Sequence, residues 1–386
     1  MASLTKVNKS MKLKFIVAPV AMLAVGVLLA GCAGGAGTTE PTSSSVVDGD
    51  LAAMAAEKVA EFSTVPASFP GPTEAFDPGT GTAAVMSCGF AAEVCKVNGD
   101  LAVEAFQAMG WEVAPNFDGE FSPAVQAGFI DRAVEQGLDG IVLSSVDVNT
   151  IQESVERAAA AGLFIACVMC ASGEVWEGKV YDVTVNWEEQ GAQTAWAIIH
   201  NSGPEAKVVG FQDNAFTSTV LRSKGLEETL AANCPSCTFQ RELFATGDIV
   251  KPGPPQITAL LASKPAGEIT NIVLHYDGLG MAAAKTVFDS GRDDITLSGY
   301  DADSVAANAI ITGEPAPYGW SVAGPYNYEM WAAVDLVARN KAGLELWPDR
   351  DQMPSVLIDS SNAELYTSAT PGPENYKQFF LDMWGK

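Results

Sequence analysis

The sequence predicts an α/β fold of two doubly wound lobes, each a parallel sheet covered by helices on both faces. Three observations predict it. The strand-like runs are apolar throughout instead of alternating, as strands buried on both faces must be. Each run is followed by a segment whose apolar residues recur at helical spacing. The alternation runs once and then restarts after residue 187, and 386 residues exceed the roughly 250–300 at which a single core stops growing.

Residues 33–48 are rich in Gly, Ala, Ser and Thr, a composition that gives a flexible tether. A lead-in helix is expected at about 50–62, with Leu51, Met54, Ala55, Val59 and Phe62 as its apolar residues, before Pro66, Pro70, Pro72 and Pro78 break the chain. The globular body is expected to begin near Thr82. Ala83-Ala84-Val85-Met86 reads as its first strand, and Leu101, Ala105 and Met109 share one face of the helix after it. Strands at 140–143 and 163–166 flank a helix carrying Ile151, Val155 and Ala158 at i, i+4 and i+7. The second set reads as helix 188–200, strand 207–211, helix 218–232, strand 238–244, helix 254–263, strand 271–275, helix 279–290, strand 295–299 and helix 303–312. In sheets of this kind ligands bind beyond the carboxyl ends of the strands.

The N-terminus speaks to location. Lys6, Lys9, Lys12 and Lys14 precede an uncharged apolar run at 15–29 that ends in Leu29-Ala30-Gly31-Cys32, the pattern of a lipoprotein signal with Cys32 as the lipidated residue. A membrane-spanning helix needs about 20 apolar residues, and this run dissolves into Gly and Ala too soon. Met11 is an alternative start, since residues 11–31 form a complete signal. Losing residues 1–31 removes four lysines and no acid, which takes the formal charge from −25 to −29. A body this acidic repels nucleic acids and anionic headgroups, so nucleic acid is excluded as a partner and membrane attachment rests on lipid alone.

Six cysteines remain in the exported part: Cys88, Cys95, Cys167, Cys170, Cys234 and Cys237. In an oxidising compartment an even number reads as disulfides, with local closure favouring sequence neighbours, most strongly Cys234-Pro235-Ser236-Cys237. Two Cys-x-x-Cys pairs, 64 residues apart, are the pattern of a zinc site and leave that alternative open. No metal and no cofactor are expected.

Several motifs suggest enzymes and fall short. Gly278-Leu279-Gly280-Met281-Ala282-Ala283 fits a dinucleotide loop with Asp301 about 20 residues on, but Tyr276-Asp277 separate it from the strand. Gly319-Trp320-Ser321-Val322-Ala323 looks like a nucleophile elbow, yet His200 and His275, the chain's two histidines, both precede the serine. With so little imidazole no catalytic role is assigned. Aromatic residues are more informative: Phe90, Trp187, Tyr276, Tyr300, Tyr318 and Trp320 fall at strand ends or at the crossings between lobes, where flat rings would stack on a ligand.

The order of these segments resembles the type I periplasmic-binding-protein fold, the sugar-binding components of ABC importers similar to ribose-binding protein, over about residues 82–350. Gly162-Leu163-Phe164-Ile165 looks like the family's "gIPVi" strand and Arg222-Ser223-Lys224-Gly225-Leu226 like its "RxxGf" helix. His275-Tyr276-Asp277 with Met281-Ala282-Ala283-Ala284 looks like "qnDxmAlGa", and Leu297-Ser298-Gly299-Tyr300-Asp301 like "vvGfDg". The resemblance implies two lobes joined by a three-stranded hinge and closing on a ligand, with Arg222 and Asp301 binding its hydroxyls. Met169-Cys170 stand where sugar binders place Asp-Arg, Ala323 where they place Gln, and Tyr276 where an Asn is common.

The organisation expected is a lipoprotein signal peptide at 1–31, then lipid anchor, tether and lead-in helix at 32–81. One lobe comprises 82–187 plus 321–352, the other 188–320 plus 353–386. The chain is expected to be a monomeric solute-binding lipoprotein on the extracytoplasmic face of a bacterial membrane. It would deliver a sugar or sugar-like ligand to an ABC permease, the alternatives being a small aromatic or nucleoside-like ligand, or a sensing role. The expected ligand-binding residues are Phe90, Met169, Cys170, Trp187, Arg222, Tyr276, Asp301 and Trp320.

Overall fold

The computed structural model describes residues 43–245, 254–314, 318–368 and 370–386, which belong to one unit. The expected signal, Cys32 and most of the tether lie outside the described residues. Among the described residues no helix is long and apolar enough to cross a membrane.

The first lobe is built on a sheet ordered β2-β1-β4-β5-β6, with β3 also pairing β1, and every pairing is parallel. These strands are β1 (Thr82–Ser87), β2 (Glu112–Val113), β3 (Phe117–Asp118), β4 (Gly140–Ser144), β5 (Phe164–Val168) and β6 (Tyr181–Val183). Their uniform hydrophobicity has the expected cause. In β4, Ile141 and Leu143 enter the core beneath α3 (Pro123–Glu135) and α4 (Gln152–Ala160), while Val142 enters the core on the opposite face. That opposite face is covered by α2 (Glu93–Met109) and α10 (Tyr326–Lys341).

The second sheet is ordered β12-β11-β10-β9-β7-β8, parallel except for the pairing of β11 with β12. It comprises β7 (Lys207–Asp213), β8 (Thr238–Phe244), β9 (Asn271–Leu274), β10 (Thr296–Tyr300), β11 (Tyr318–Ala323) and β12 (Val356–Asp359). The helices between them are α5 (Trp187–Ser202), α6 (Thr217–Asn233), α7 (Pro255–Ser263), α8 (Asp277–Asp289) and α9 (Ser304–Thr312). α5 and α6 pack against each other so closely that a Cβ on Gly191 would strike the Arg222 carbonyl, and one on Gly225 the Glu188 carbonyl. The glycine of the Arg222-Ser223-Lys224-Gly225 motif is therefore a packing glycine.

Two expectations about the ends of the chain are corrected. The lead-in helix begins earlier, as α1 (Ser43–Phe62), and is part of the body: Ala55 and Val59 are buried in one core with Ala195, Ile198 and Leu226 of the second lobe. The C-terminal helix α11 (Tyr376–Met383), expected in the second lobe, packs on α2 and α10 of the first. Trp384 beside it explains why: its ring stacks on Trp331 at 5.6 Å and its Nε1 donates to Asp335 at 2.9 Å, both on α10. The chain thus passes between lobes at 184–187, 323–326 and 350–356, and again between α1 and β1 and ahead of α11, so terminal segments add two connections to the three expected.

All three sequence-neighbour disulfides are formed: Cys88–Cys95, Cys167–Cys170 and Cys234–Cys237. The two Cys-x-x-Cys pairs belong to different lobes, which removes the shared zinc site.

Candidate functional site

A partly open cleft with a cavity volume of about 50 Å³ lies where the carboxyl ends of both sheets face each other. Cys88, Val94, Cys95, Phe121, Ser145 and Met169 come to it from the first lobe; Phe216, Ser218, Thr219, Arg222, Tyr276, Asp301 and Asp303 come from the second. Four of these residues hold left-handed backbone although none is glycine: Phe121 (φ 51°), Ser145 (φ 57°), Met169 (φ 60°) and Asp301 (φ 94°). Ser145, Met169 and Asp301 each follow directly on the last residue of a strand. Such conformations cost about 1–3 kcal/mol each and persist where surrounding structure imposes them, which is characteristic of binding sites.

Arg222 and Asp301 form the polar floor. The Arg222 guanidinium is nearly inaccessible and donates from Nη2 to Asp301 Oδ1 at 2.7 Å, from Nη1 to the His275 carbonyl at 2.7 Å and from Nε to Gln190 Oε1 at 2.9 Å. Rings flank it, Tyr300 at 4.4 Å and Trp187 at 4.9 Å. Burial pushes the Asp301 carboxyl up, against the pull of Arg222. Burial, with the Arg222 charge, drives the His275 imidazole down to about 3, so it is neutral; its Nε2 pairs with Ser223 Oγ at 2.9 Å.

Two further carboxyls crowd this floor. Asp277 opens α8 fully buried and accepts from the Tyr318 hydroxyl at 2.6 Å and from Ser321 Oγ at 2.7 Å. Burial pushes Asp277 up to about 7, with Asp301 adding to the rise; burial, then the neighbouring Asp277 and Asp301, hold Asp303 well above the usual carboxylate range.

The lobes are bonded across the rim of the cleft. Asp147, from the loop after β4, accepts at Oδ2 from the Thr217 backbone N–H at 2.7 Å and from the Thr217 hydroxyl at 2.8 Å. Thr217 opens α6, which has no side-chain cap of its own. In the opposite direction Asp303 of the second lobe stands at the first turn of α2, where the Val94 N–H favours its charged form, and that helix is likewise uncapped by its own N-cap residue. Ser304 Oγ donates to Glu93 at 2.8 Å beside it. Each lobe therefore places an aspartate at a helix N-terminus of the other, where partial positive charge gathers.

Of the residues expected to bind ligand, Met169, Arg222, Tyr276 and Asp301 line the cleft. Phe90 does not; its N–H is held by Asp118 and Phe121 occupies the wall instead. Cys170 is buried in its disulfide within the core of the first lobe. Trp187 packs its ring against the Arg222 guanidinium at 4.9 Å and lines a separate hollow with Ala171, Asp182 and Thr184. Trp320 is in mid-strand, so its side chain leaves the face of the sheet into the core with Tyr300 and Val273. Arg222 lines the cleft with each of its three nitrogens already bonded within the protein. Ser321 is fully buried and bonded to Asp277, not poised at a turn. Nothing in the sequence marks Phe121, Ser145 or Phe216 as site residues: the first two stand in left-handed backbone that no motif encodes, and Phe216 is the extended residue just before α6.

The family described as periplasmic binding protein domain matches residues 94–345. A curated relative, the ABC transporter periplasmic-binding protein YphF of Escherichia coli, is 28% identical over 129 residues, 32% of this chain and 39% of its own length. The chain therefore matches well under half of that relative. Among solved structures, an ABC transporter solute-binding protein of Agrobacterium vitis with bound allitol has a TM-score of 0.67 at 18% identity, covering 75% of this chain and 98% of its own. The Caulobacter myo-inositol binding protein has 0.63 at 18%, covering 77% and 98%.

Proposed function

The chain belongs to the periplasmic binding protein domain family, and we propose that it is an extracytoplasmic solute-binding lipoprotein of an ABC importer, held to the membrane by lipid on Cys32. It captures a small ligand between its lobes as a monomer and presents the closed form to a permease. One observation carries the reading: side chains from the strand ends of both lobes meet in a single cleft whose rim is bonded lobe to lobe. A ligand touching both walls favours the closed form by the difference in its affinity for the two states.

The similar structures were solved with allitol and myo-inositol, which supports a small hydroxylated solute. The sulfur and aromatic surface contributed by Met169, Cys88–Cys95, Phe121 and Tyr276 favours the second reading, a small aromatic compound. A thermal-shift screen of the full chain against sugars, polyols, nucleosides and small aromatics tests capture. A ligand at 100 times its dissociation constant adds about 2.7 kcal/mol of stability. No shift from any compound refutes capture. Loss of uptake of the hit in cells lacking the chain separates import from sensing.

A further inference from the structure

The polar groups along the cleft are largely committed to the protein. The Ser145 hydroxyl donates to Met169 Sδ at 3.5 Å, and the Thr219 hydroxyl to the Asp213 carbonyl. The Tyr276 hydroxyl donates to Asp213 Oδ2 at 3.2 Å. Arg222 uses all three of its nitrogens on Gln190, His275 and Asp301. What the floor still offers, beside the Ser218 hydroxyl, is acceptor capacity at Asp301, whose carboxylate has more lone-pair positions than Arg222 and Tyr326 occupy.

The walls are apolar and come from both sides. Phe121 belongs to the first lobe; Phe216 and Tyr276, edge to face at 6.5 Å, belong to the second. Met169 and the Cys88–Cys95 disulfide add polarisable sulfur, which suits contact with an aromatic ring. A polyol enclosed here would leave most of its hydroxyls without partners, each at a cost of roughly tenfold or more in affinity.

We propose that the cleft selects a small solute with an aromatic or apolar face and one hydrogen-bond-donor pole, hydroxyl or ammonium, directed at Asp301, and that it discriminates against polyols. This rests on the reading of the cleft as a solute trap. The donor pole sits on the acidic floor, and the apolar face lies between Phe121 and the Phe216–Tyr276 pair.

Calorimetric titration of the full chain with 2-phenylethanol, 2-phenylethylamine, phenylacetate, ribose, allitol and myo-inositol tests it. The expected result is that 2-phenylethanol or 2-phenylethylamine binds at least tenfold more tightly than every polyol. Phenylacetate, which brings a carboxylate to the acidic floor, is expected to bind at least tenfold more weakly than that probe. A polyol that binds as tightly as either arylethyl probe overturns the proposal and leaves the trap standing. Binding by none of the six also overturns it, and the broader melting screen then decides separately whether the trap reading survives.

Discussion

Replacing Asp147 with Ala removes the carboxylate that joins the first lobe to the start of α6. Its two bonds to Thr217, at 2.7 and 2.8 Å, exist only when the lobes are together. A helix-capping side chain contributes about 1 kcal/mol, within a range of about 0.5–2, and a charge at a helix N-terminus adds about 0.3–1. Asp147 is buried, so water competes little, and about 2 kcal/mol is a fair working figure for the closed state. That lowers the closing equilibrium about 30-fold. For a protein that is mostly open without ligand, the apparent dissociation constant rises by the same factor, because it varies inversely with the closed fraction. Asp147 Oδ1 also holds the Asn149 N–H at 3.0 Å within its own lobe, so the variant loses some melting temperature independently of closure. Thr217→Val keeps the backbone contact and removes the hydroxyl's bond to Asp147 together with the 3.4 Å bond that Asn149 Nδ2 gives the same oxygen, with an expected rise of about three- to fivefold. Because both changes break one clasp, the double variant is expected to be less impaired than the product of the two. Calorimetry with the cleft ligand gives the affinities, and small-angle scattering gives the fraction closed. An Asp147→Ala protein that binds within twofold of the parent, or multiplicative effects in the double variant, would refute the reasoning.

The melting temperature is expected to rise from pH 8 to pH 6. Asp182 and Asp277, pushed up by burial to about 6 and about 7, take up protons in the folded state that the unfolded state, near 3.9, releases. His275, driven down to about 3, opposes this only below the unfolded histidine value of about 6.5, so a flat or falling profile between pH 8 and 6 contradicts the assigned burial. Arg222→Met is expected to cost about 3–5 kcal/mol in urea unfolding, because it strands the buried Asp301 charge; a loss under 1 kcal/mol would show that the guanidinium is not the keystone of the second lobe. Cys234→Ser with Cys237→Ser is expected to lower stability by roughly 2 kcal/mol while leaving ligand affinity unchanged, since the pair lies at the α6–β8 turn, away from the cleft strand ends. Cys88→Ser with Cys95→Ser is expected to weaken binding as well, because that disulfide is part of the cleft wall; equal affinities for the two double variants count against the wall.

What could be read from the sequence was what local periodicity encodes. β4 and β5 are buried on both faces, so their apolar runs announce them. α10 is buried around nearly its whole circumference, with Glu329, Asp335 and Arg339 among its buried residues, and it shows no apolar stripe to read. α11 is placed by Trp384, Trp331 and Asp335, which are 49 residues or more apart in two of their three pairings and leave no local pattern. Trp320 shows the limit most plainly. The sequence puts an aromatic near a crossing, but whether it faces a ligand depends on its being mid-strand, where side chains leave the sheet face, and not one residue past the end, where Asp301 stands. Arg222 adds a second limit. A motif identifies an arginine near a ligand, yet its availability is decided by Gln190, His275 and Asp301, contributed from 32, 53 and 79 residues away. A family motif can therefore carry over the frame of a site while the ligand chemistry changes. The buried arginine and aspartate hold the floor together whatever is bound, and selectivity is left to residues such as Phe121 and Met169, whose positions depend on backbone that no pattern of residue types specifies.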